Sequence, residues 1–247
     1  MEQPIIEISH LTKRFVLMNR RYGVRSIVLH LANYLHDLRN PRLFTALDDV
    51  SFSVRRGERI ALTGRNGCGK TTLLSIIGGV YRSYEGSVAV RGRVSMMLAL
   101  GAGMHPELSG RENIILNGVL QGKSRREMLD LMDDITDFAD IGDFIDAPLY
   151  QYSSGMKARL GFGVITAIEP EILLVDEVLA VGDAEFRKKC VKRIAGLLDR
   201  GCTLFLVSHN AADIRKNCER VIKLEHGKIV ADGSVDEVMP PDQTSTP

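Results

Sequence analysis

Gly64-Arg65-Asn66-Gly67-Cys68-Gly69-Lys70-Thr71 is the stretch that decides how this chain reads. It follows the apolar run Ile60, Ala61, Leu62 and precedes Leu73, Leu74, Ile76 and Ile77 at helical spacing. Strand, glycine-rich turn and helix form the context a phosphate-binding loop requires. The glycines let backbone N–H groups curl around an anion, and the helix N-terminus adds its partial positive charge. Lys70 supplies a point charge for the β- and γ-phosphates, and the Thr71 hydroxyl is placed to ligate Mg²⁺. The stretch predicts an α/β core that binds a nucleoside triphosphate.

Outward from the loop, short elements follow one another closely. Residues 5–9 read as a strand. Residues 45–54 contain a second, with clean alternation at Val50, Phe52 and Val54. Arg55-Arg56-Gly57-Glu58 is a turn, and residues 59–63 form the strand that enters the loop. Residues 86–90 and 93–98 read as strands joined as a hairpin around Arg91-Gly92. From 109 to about 168 the pattern is helical. Residues 173–176 and 203–208 are apolar runs of the buried parallel-strand type. Residues 221–225 and 228–232 form a hairpin around His226-Gly227, and the proline-rich tail 240–247 reads as disordered.

Composition excludes several classes. The 247 residues carry 32 Lys and Arg against 31 Asp and Glu, so no global nucleic-acid signal is present. Met1-Glu2-Gln3-Pro4 is not a signal peptide, and no apolar run is long enough to span a bilayer. Cys68, Cys190, Cys202 and Cys218 lack metal spacing and are expected to be reduced thiols. Cys68 sits inside the loop, so a thiol reagent is expected to inhibit there and ATP to protect.

A constellation follows the loop in fixed order. Tyr152-Ser153-Ser154-Gly155-Met156 opens a helix, with Ser153 and Ser154 as N-cap residues and free N–H groups forming an anion site. Ile172-Leu173-Leu174-Val175-Asp176-Glu177 is a buried strand ending in two carboxylates, which face the ligand crevice of a parallel sheet. Asp176 would hold Mg²⁺, directly or through water, and Glu177 would orient and deprotonate the attacking water. Val181-Gly182-Asp183 follows at once. His209 ends a further strand and reaches toward the γ-phosphate. Phe15 is a candidate adenine platform, with Tyr22 as the alternative.

With these residues in this order, the chain resembles the ATP-binding subunits of ABC transporters over nearly its whole length. The resemblance implies a RecA-like core, an antiparallel β-subdomain and a helical subdomain at about 101–165, within a nucleotide-binding domain spanning 1–239. It makes residues 64–72, from Gly64 to Thr72, the Walker A loop and Asp176 the Walker B aspartate. Glu177 becomes the catalytic glutamate, Asp183 part of the D-loop, His209 the switch histidine and residues 153–156 the signature motif. It further implies a head-to-tail homodimer that sandwiches each Mg²⁺-ATP between the loop of one copy and the signature helix of the other. Asp176-Glu177-Val178-Leu179-Ala180-Val181-Gly182-Asp183 and His105-Pro106-Glu107-Leu108-Ser109-Gly110-Arg111-Glu112-Asn113 are similar to the polysaccharide-exporting subfamily. That group moves lipid-linked O-antigen, capsule or teichoic-acid polymers. The implied partners are an integral membrane permease, docked around residues 102–117, and the lipid-linked polymer. The implied place is the cytoplasmic face of the inner membrane, peripherally bound. A non-glycan exporter and a soluble ABC-type ATPase are the alternatives.

The chain also departs from the family pattern. Leu100 stands where a permease-coupling glutamine is usual, and a leucine cannot ligate Mg²⁺ or water. Ser154 and Met156 replace a glycine and a glutamine in the signature, while Ser153 and Gly155 keep the hydroxyl and the close backbone approach. Residues 16–44 form a long basic connection. Ile27, Leu31, Tyr34, Leu35 and Leu38 fall on one face of a helix, with Ser26 as its cap. That helix either packs on its own domain or lies at the membrane interface, where Arg20, Arg21 and Arg25 would meet phosphates. Nine residues follow Val238, so polymer selection is expected to fall to the permease or to the polymer's lipid-linked end.

Overall fold

The computed structural model describes residues 3–17, 42–97, 103–176 and 183–240. Residues 18–41 of the long basic connection, Leu100, Glu177 and the tail beyond 240 lie outside them, while the two ends of that connection are strand, in β1 and β2.

Two sheets enclose the helix that follows the phosphate loop. Strands β1 (Ile6–Leu17), β2 (Arg42–Val54) and β4 (Glu85–Val90) make an antiparallel sheet in the order β2-β1-β4. The alternation at Val50, Phe52 and Val54 is what fixes its register, because all three are buried while Ser51 and Ser53 face outward. The second sheet has six strands: β3 (Arg59–Thr63), β5 (Val94–Met96), β6 (Ile172–Asp176), β7 (Thr203–Val207), β8 (Arg220–Glu225) and β9 (Lys228–Ser234). Its order is β5-β6-β7-β3-β8-β9, parallel throughout except for β9.

The hairpin expected around Arg91-Gly92 does not form. β4 pairs with β1 in the first sheet, and β5 crosses to the second, where it runs parallel to β6. Main-chain bonds on either side of the bend set this split: Arg91 N–H donates to the Ile5 carbonyl at 2.8 Å, and the Arg93 carbonyl accepts from Glu171 and Ile172 at 3.0 Å. The other expected hairpin, β8–β9, is present. His226 and Gly227 take φ of 50° and 80° at its turn, the left-handed pair that a two-residue hairpin favours.

Helix α1 (Lys70–Ile77) buries Leu73, Leu74, Ile76 and Ile77 between the sheets, against Ile8, Leu11 and Val50 on one side and Ile60, Leu62 and Phe205 on the other. A second cluster covers the opposite face of the parallel sheet. There Phe162 and Ile165 of α5 (Ser154–Ala167) join Phe186, Cys190 and Ile194 of α6 (Ala184–Asp199) and Ile214 of α7 (Ala211–Asn217). A third cluster belongs to a helical layer. In it α2 (Gly110–Leu120), α3 (Arg125–Asp130), α4 (Met132–Ala139) and the outer face of α5 pack Ile114, Met128, Ile135, Leu160 and Val164 together. The short α8 (Val235–Val238) ends the described chain. No helix among the described residues is long and apolar enough to cross a membrane.

Candidate nucleotide-binding site

The phosphate loop is clamped by main chain from several directions. Gly64, at φ 138°, lies so close to the Leu224 carbonyl that a Cβ there would stand 2.1 Å from its oxygen. A Cβ on Gly69, at φ 112°, would stand 2.5 Å from the Ala46 carbonyl oxygen. Only glycine satisfies both the left-handed backbone and the approach. The β8–β9 turn closes the third side: Gly227 N–H donates to the Cys68 carbonyl at 3.0 Å, while the Gly227 carbonyl accepts from Asp48 N–H at 2.9 Å. A turn far along the chain thus braces the loop against β2.

Within this frame the Lys70 ammonium donates to the carbonyls of Gly64 at 2.6 Å and Arg65 at 3.2 Å. The side chain is almost fully buried, and both acceptors are neutral, so its charge is not cancelled at either contact. Thr71 Oγ1 donates to Asp176 Oδ2 at 3.4 Å, which brings the hydroxyl after the loop beside the carboxylate that ends β6. These groups line a groove of about 460 Å³ together with Asn66, Gly67, Gly69, Thr72, Phe15, Phe44, Val207 and His209. That volume suits a small-molecule or cofactor site, which spans roughly 300–1,000 Å³.

Most of the residues singled out in sequence meet in this one groove, although they come from β1, the loop, β6 and the end of β7. Gly64, Arg65 and Cys68 do not line it; they shape the loop from behind. The Cys68 side chain is a correction to the expected reactivity. It is 6% exposed and packs into the core between the sheets, so it is not presented to a thiol reagent at the groove. All four cysteines are free and buried, and burial pushes the Cys190 and Cys218 thiols up to about 12 and Cys202 to about 11. Phe44 was not anticipated. It is paired with Phe15 across β1 and β2 and is 47% exposed. Phe15 itself meets the Tyr81 ring edge-on at 5.4 Å, with the Lys13 ammonium 4.9 Å from its centroid. Tyr22 and Glu177 lie outside the described residues.

Ser153, Ser154 and Gly155 do not line the groove. They open α5, where Ser153 caps the helix by accepting from Met156 N–H at 3.2 Å. Ser153 and Ser154 are exposed. The capping chemistry here differs from that of α2 and α3, where Ser109 with Glu112 and Ser124 with Glu127 complete reciprocal capping boxes. At α5 the position of those glutamates is Met156. Among the eight described α-helices, only α1 and α5 carry no acidic residue in the first turn. These are the two whose N-termini were predicted to face phosphate, and a carboxylate there would oppose an anion. Asp183 caps α6, accepting from Phe186 N–H at 2.8 Å and Glu185 N–H at 3.0 Å, and its carboxyl is held below its usual range by the Phe186 N–H bond and by Arg159.

Comparison with known proteins gives this geometry a place. The chain is 45% identical over 237 residues to the O-antigen export system ATP-binding protein RfbB of Klebsiella pneumoniae, covering 96% of both chains. It is 40% identical over 235 residues to the teichoic acids export ATP-binding protein TagH of Lactococcus lactis, covering 95% of this chain and 50% of that one. Among solved structures, an ATP-binding subunit of an ABC transporter superposes with a TM-score of 0.73 at 20% identity, covering 95% of this chain and 91% of that one. A dimeric bacterial ABC transporter cassette superposes with 0.71 at 20% identity, covering 93% and 98%. Those two likenesses show the fold. Residues 47–180 match the family described as ABC transporter, and with close relatives along its whole length this chain belongs to that family, as one of its ATP-binding and ATP-hydrolysing members.

Proposed function

We propose that this chain is the ATPase subunit of a bacterial exporter of lipid-linked polysaccharide of the O-antigen, capsular or teichoic-acid type. The observation that carries the substrate class is the 45% identity, end to end, with an O-antigen export ATP-binding protein. In this reading the adenine stacks at Phe15 and Phe44. The phosphates lie over the loop N–H groups, with Lys70 at the β- and γ-phosphates.

The donors available for a cation are Thr71 Oγ1 and Asp176 Oδ2, hard oxygens 3.4 Å apart. No cluster of three or more His, Cys, Asp or Glu able to hold a metal occurs among the described residues. Such a sparse set fits Mg²⁺, which keeps waters and binds through one or two protein ligands plus the nucleotide's phosphates. When bound, Mg²⁺ would offset charge on the β- and γ-phosphates. Glu177 takes the proton of the attacking water, and His209 stands at the γ-phosphate end of the groove. The second half of the site is the α5 N-terminus of another copy, whose Ser153, Ser154 and Gly155 cap the γ-phosphate in a head-to-tail homodimer. The exposure of those residues, and the missing first-turn acid, support that role. ATP-driven closure and reopening then move a membrane permease docked on the helical layer, which places the subunit peripherally at the cytoplasmic face of the inner membrane.

A strain lacking the chain is expected to accumulate lipid-linked glycan on the cytoplasmic side, rescued by the native chain but not by Glu177→Gln. Normal surface glycan with no internal build-up would discard the substrate class and leave the ATPase standing.

A further inference from the structure

Arg159, three residues beyond the predicted signature motif on α5, lies 24 residues from Asp183 at the start of α6, yet its side chain joins the two helix starts. Arg159 sits on the second turn of α5, one turn beyond Ser153–Met156. Its Nη2 donates to Asp183 Oδ2 at 2.6 Å, its guanidinium carbon lies 4.8 Å from the Phe186 ring centroid, and Nη1 lies 3.7 Å from Asp140 Oδ2 at the end of α4. Asp183 is meanwhile fixed through its other oxygen as the N-cap of α6. One guanidinium therefore ties the start of α5, the end of α4 and the cap of α6.

The tie is not isolated. Phe138 of α4, Phe162 of α5 and Phe186 of α6 form a three-ring cluster: Phe138 stacks on Phe162 at 5.5 Å and 11°, and both meet Phe186 edge-on. Arg193 of α6 covers the other end, 4.9 Å from the Phe138 centroid and ion-paired to Asp134 of α4. Aromatic rings flanked by two arginines, each with a carboxylate from the neighbouring helix, make a directional joint rather than a greasy one, because planar guanidinium groups fix both angle and distance.

We infer that Arg159 is a positioning residue: through Asp183 it makes the start of α5 and the start of α6 a single rigid unit, so that the signature serines and the D-loop aspartate are presented to the second copy together. This rests on the head-to-tail sandwich proposed above. A rigid pair of motifs would meet the partner in one step, and loosening the joint would spoil the encounter without touching the groove that holds Lys70.

The test uses the full chain as Arg159→Gln, Asp183→Asn and the double variant, with Arg159→Lys as the conservative control. Nucleotide affinity of the isolated chain, read with a fluorescent ATP analogue, is expected to stay within about twofold. ATP-dependent dimerisation in a Glu177→Gln background is expected to weaken by roughly five- to tenfold in either single variant, with the double variant no worse than the singles, as for residues acting as one unit. Hydrogen exchange is read alongside: Asp183→Asn is expected to speed exchange at the α5 N-terminal amides, and Arg159→Gln at those of α6. Effects that multiply in the double variant, or exchange that changes only on the mutated helix, would overturn the inference. A Glu177→Gln parent that stays monomeric with ATP would instead overturn the sandwich, and the exchange result would still decide whether the two helix starts are coupled.

Discussion

The phosphate loop and the start of α5 are both clusters of backbone N–H groups at a helix N-terminus, yet they are held very differently. The loop is gripped by carbonyls of Leu224 and Ala46, by the Gly227 turn and by its own lysine. At the start of α5 a single hydroxyl, that of Ser153, caps the first-turn amides, and the Arg159 tie to Asp183 lies one turn behind them. One is a finished cradle within the chain. The other is exposed, a half-site in the proposed sandwich, and its order depends on α5 behind it. A site that must bind nucleotide alone benefits from preorganisation, because no ordering cost is left at the moment of binding. A surface meant to meet a partner must stay accessible, so the chain cannot surround it in the same way.

The largest effects should separate binding from chemistry at the finished end. Lys70→Ala is expected to weaken ATP binding on the order of a hundredfold in an analogue titration, because it removes the loop's cation that lines the groove. Glu177→Gln should instead keep binding and lower turnover by roughly 10²- to 10⁴-fold in a steady-state assay, the range for loss of a general base. Equal loss of binding in both variants would mean that the two carboxylate and lysine roles are not divided as described.

The glycines give the most direct contrast. Gly64→Ala forces a Cβ into the Leu224 carbonyl at a left-handed backbone, and should destabilise the fold by about 3 kcal/mol or more as well as abolish ATP binding. Gly155→Ala meets nothing nearer than Ser153 Oγ at 3.8 Å and lies in regular helix. There it should raise stability by roughly 0.5–1 kcal/mol in thermal melts while lowering ATP-dependent dimerisation. If Gly155→Ala dimerises normally, α5 does not approach nucleotide closely.

Met156→Glu sharpens the same point with charge. It would complete at α5 the capping box that α2 and α3 already have, worth about 1 kcal/mol or less to the isolated chain. It would also set a carboxylate against the γ-phosphate of the facing copy. A more stable chain that no longer dimerises with ATP is expected from paired melting and light-scattering measurements. Gain on both counts would refute an anion role for that helix end.

The smallest effect concerns pH. Hydrogen bonds from the Ser124 N–H and hydroxyl, with help from Lys123, lower the Glu127 carboxyl to about 2. Its folded value is depressed, so the cap contributes fully above the unfolded carboxylate range and is lost as pH falls toward 2. A carboxyl resonance of Glu127 that titrates near its ordinary value would show that the α3 box is not formed in solution. The α5 start, with no such carboxylate, should show no comparable acid step.

Much of this was legible along the chain because the chemistry is local. Eight consecutive residues carry the phosphate loop, and β6 and β7 announce themselves as apolar runs followed by acid or histidine. Glycines at 64 and 69 could be read from the anion they must wrap, though not from the Leu224 and Ala46 carbonyls that exclude any other residue. Arg91-Gly92 misled because a turn dipeptide between two strand-like runs looks the same whether the strands pair or part. The bonds from Ile5 and Glu171 that part them come from distant segments. Cys68 read as reactive because its neighbours bind phosphate, whereas the burial of its side chain depends on how the two sheets close over α1.

The sequence by itself determined that this chain has a nucleotide-binding loop, the order of motifs that place it among ABC transporter ATPases, and that Asp176 and His209 stand at or just past strand ends. Only the tertiary structure decided that Phe44 joins Phe15 at the groove, that the Gly227 turn braces the loop, and that Arg159 ties α5 to Asp183. The physical reason is range: hydrogen-bond propensity, glycine geometry and apolar period act over a few residues and are written in consecutive letters, while those three contacts join residues 24 or more positions apart and exist only once the sheets and helices have packed.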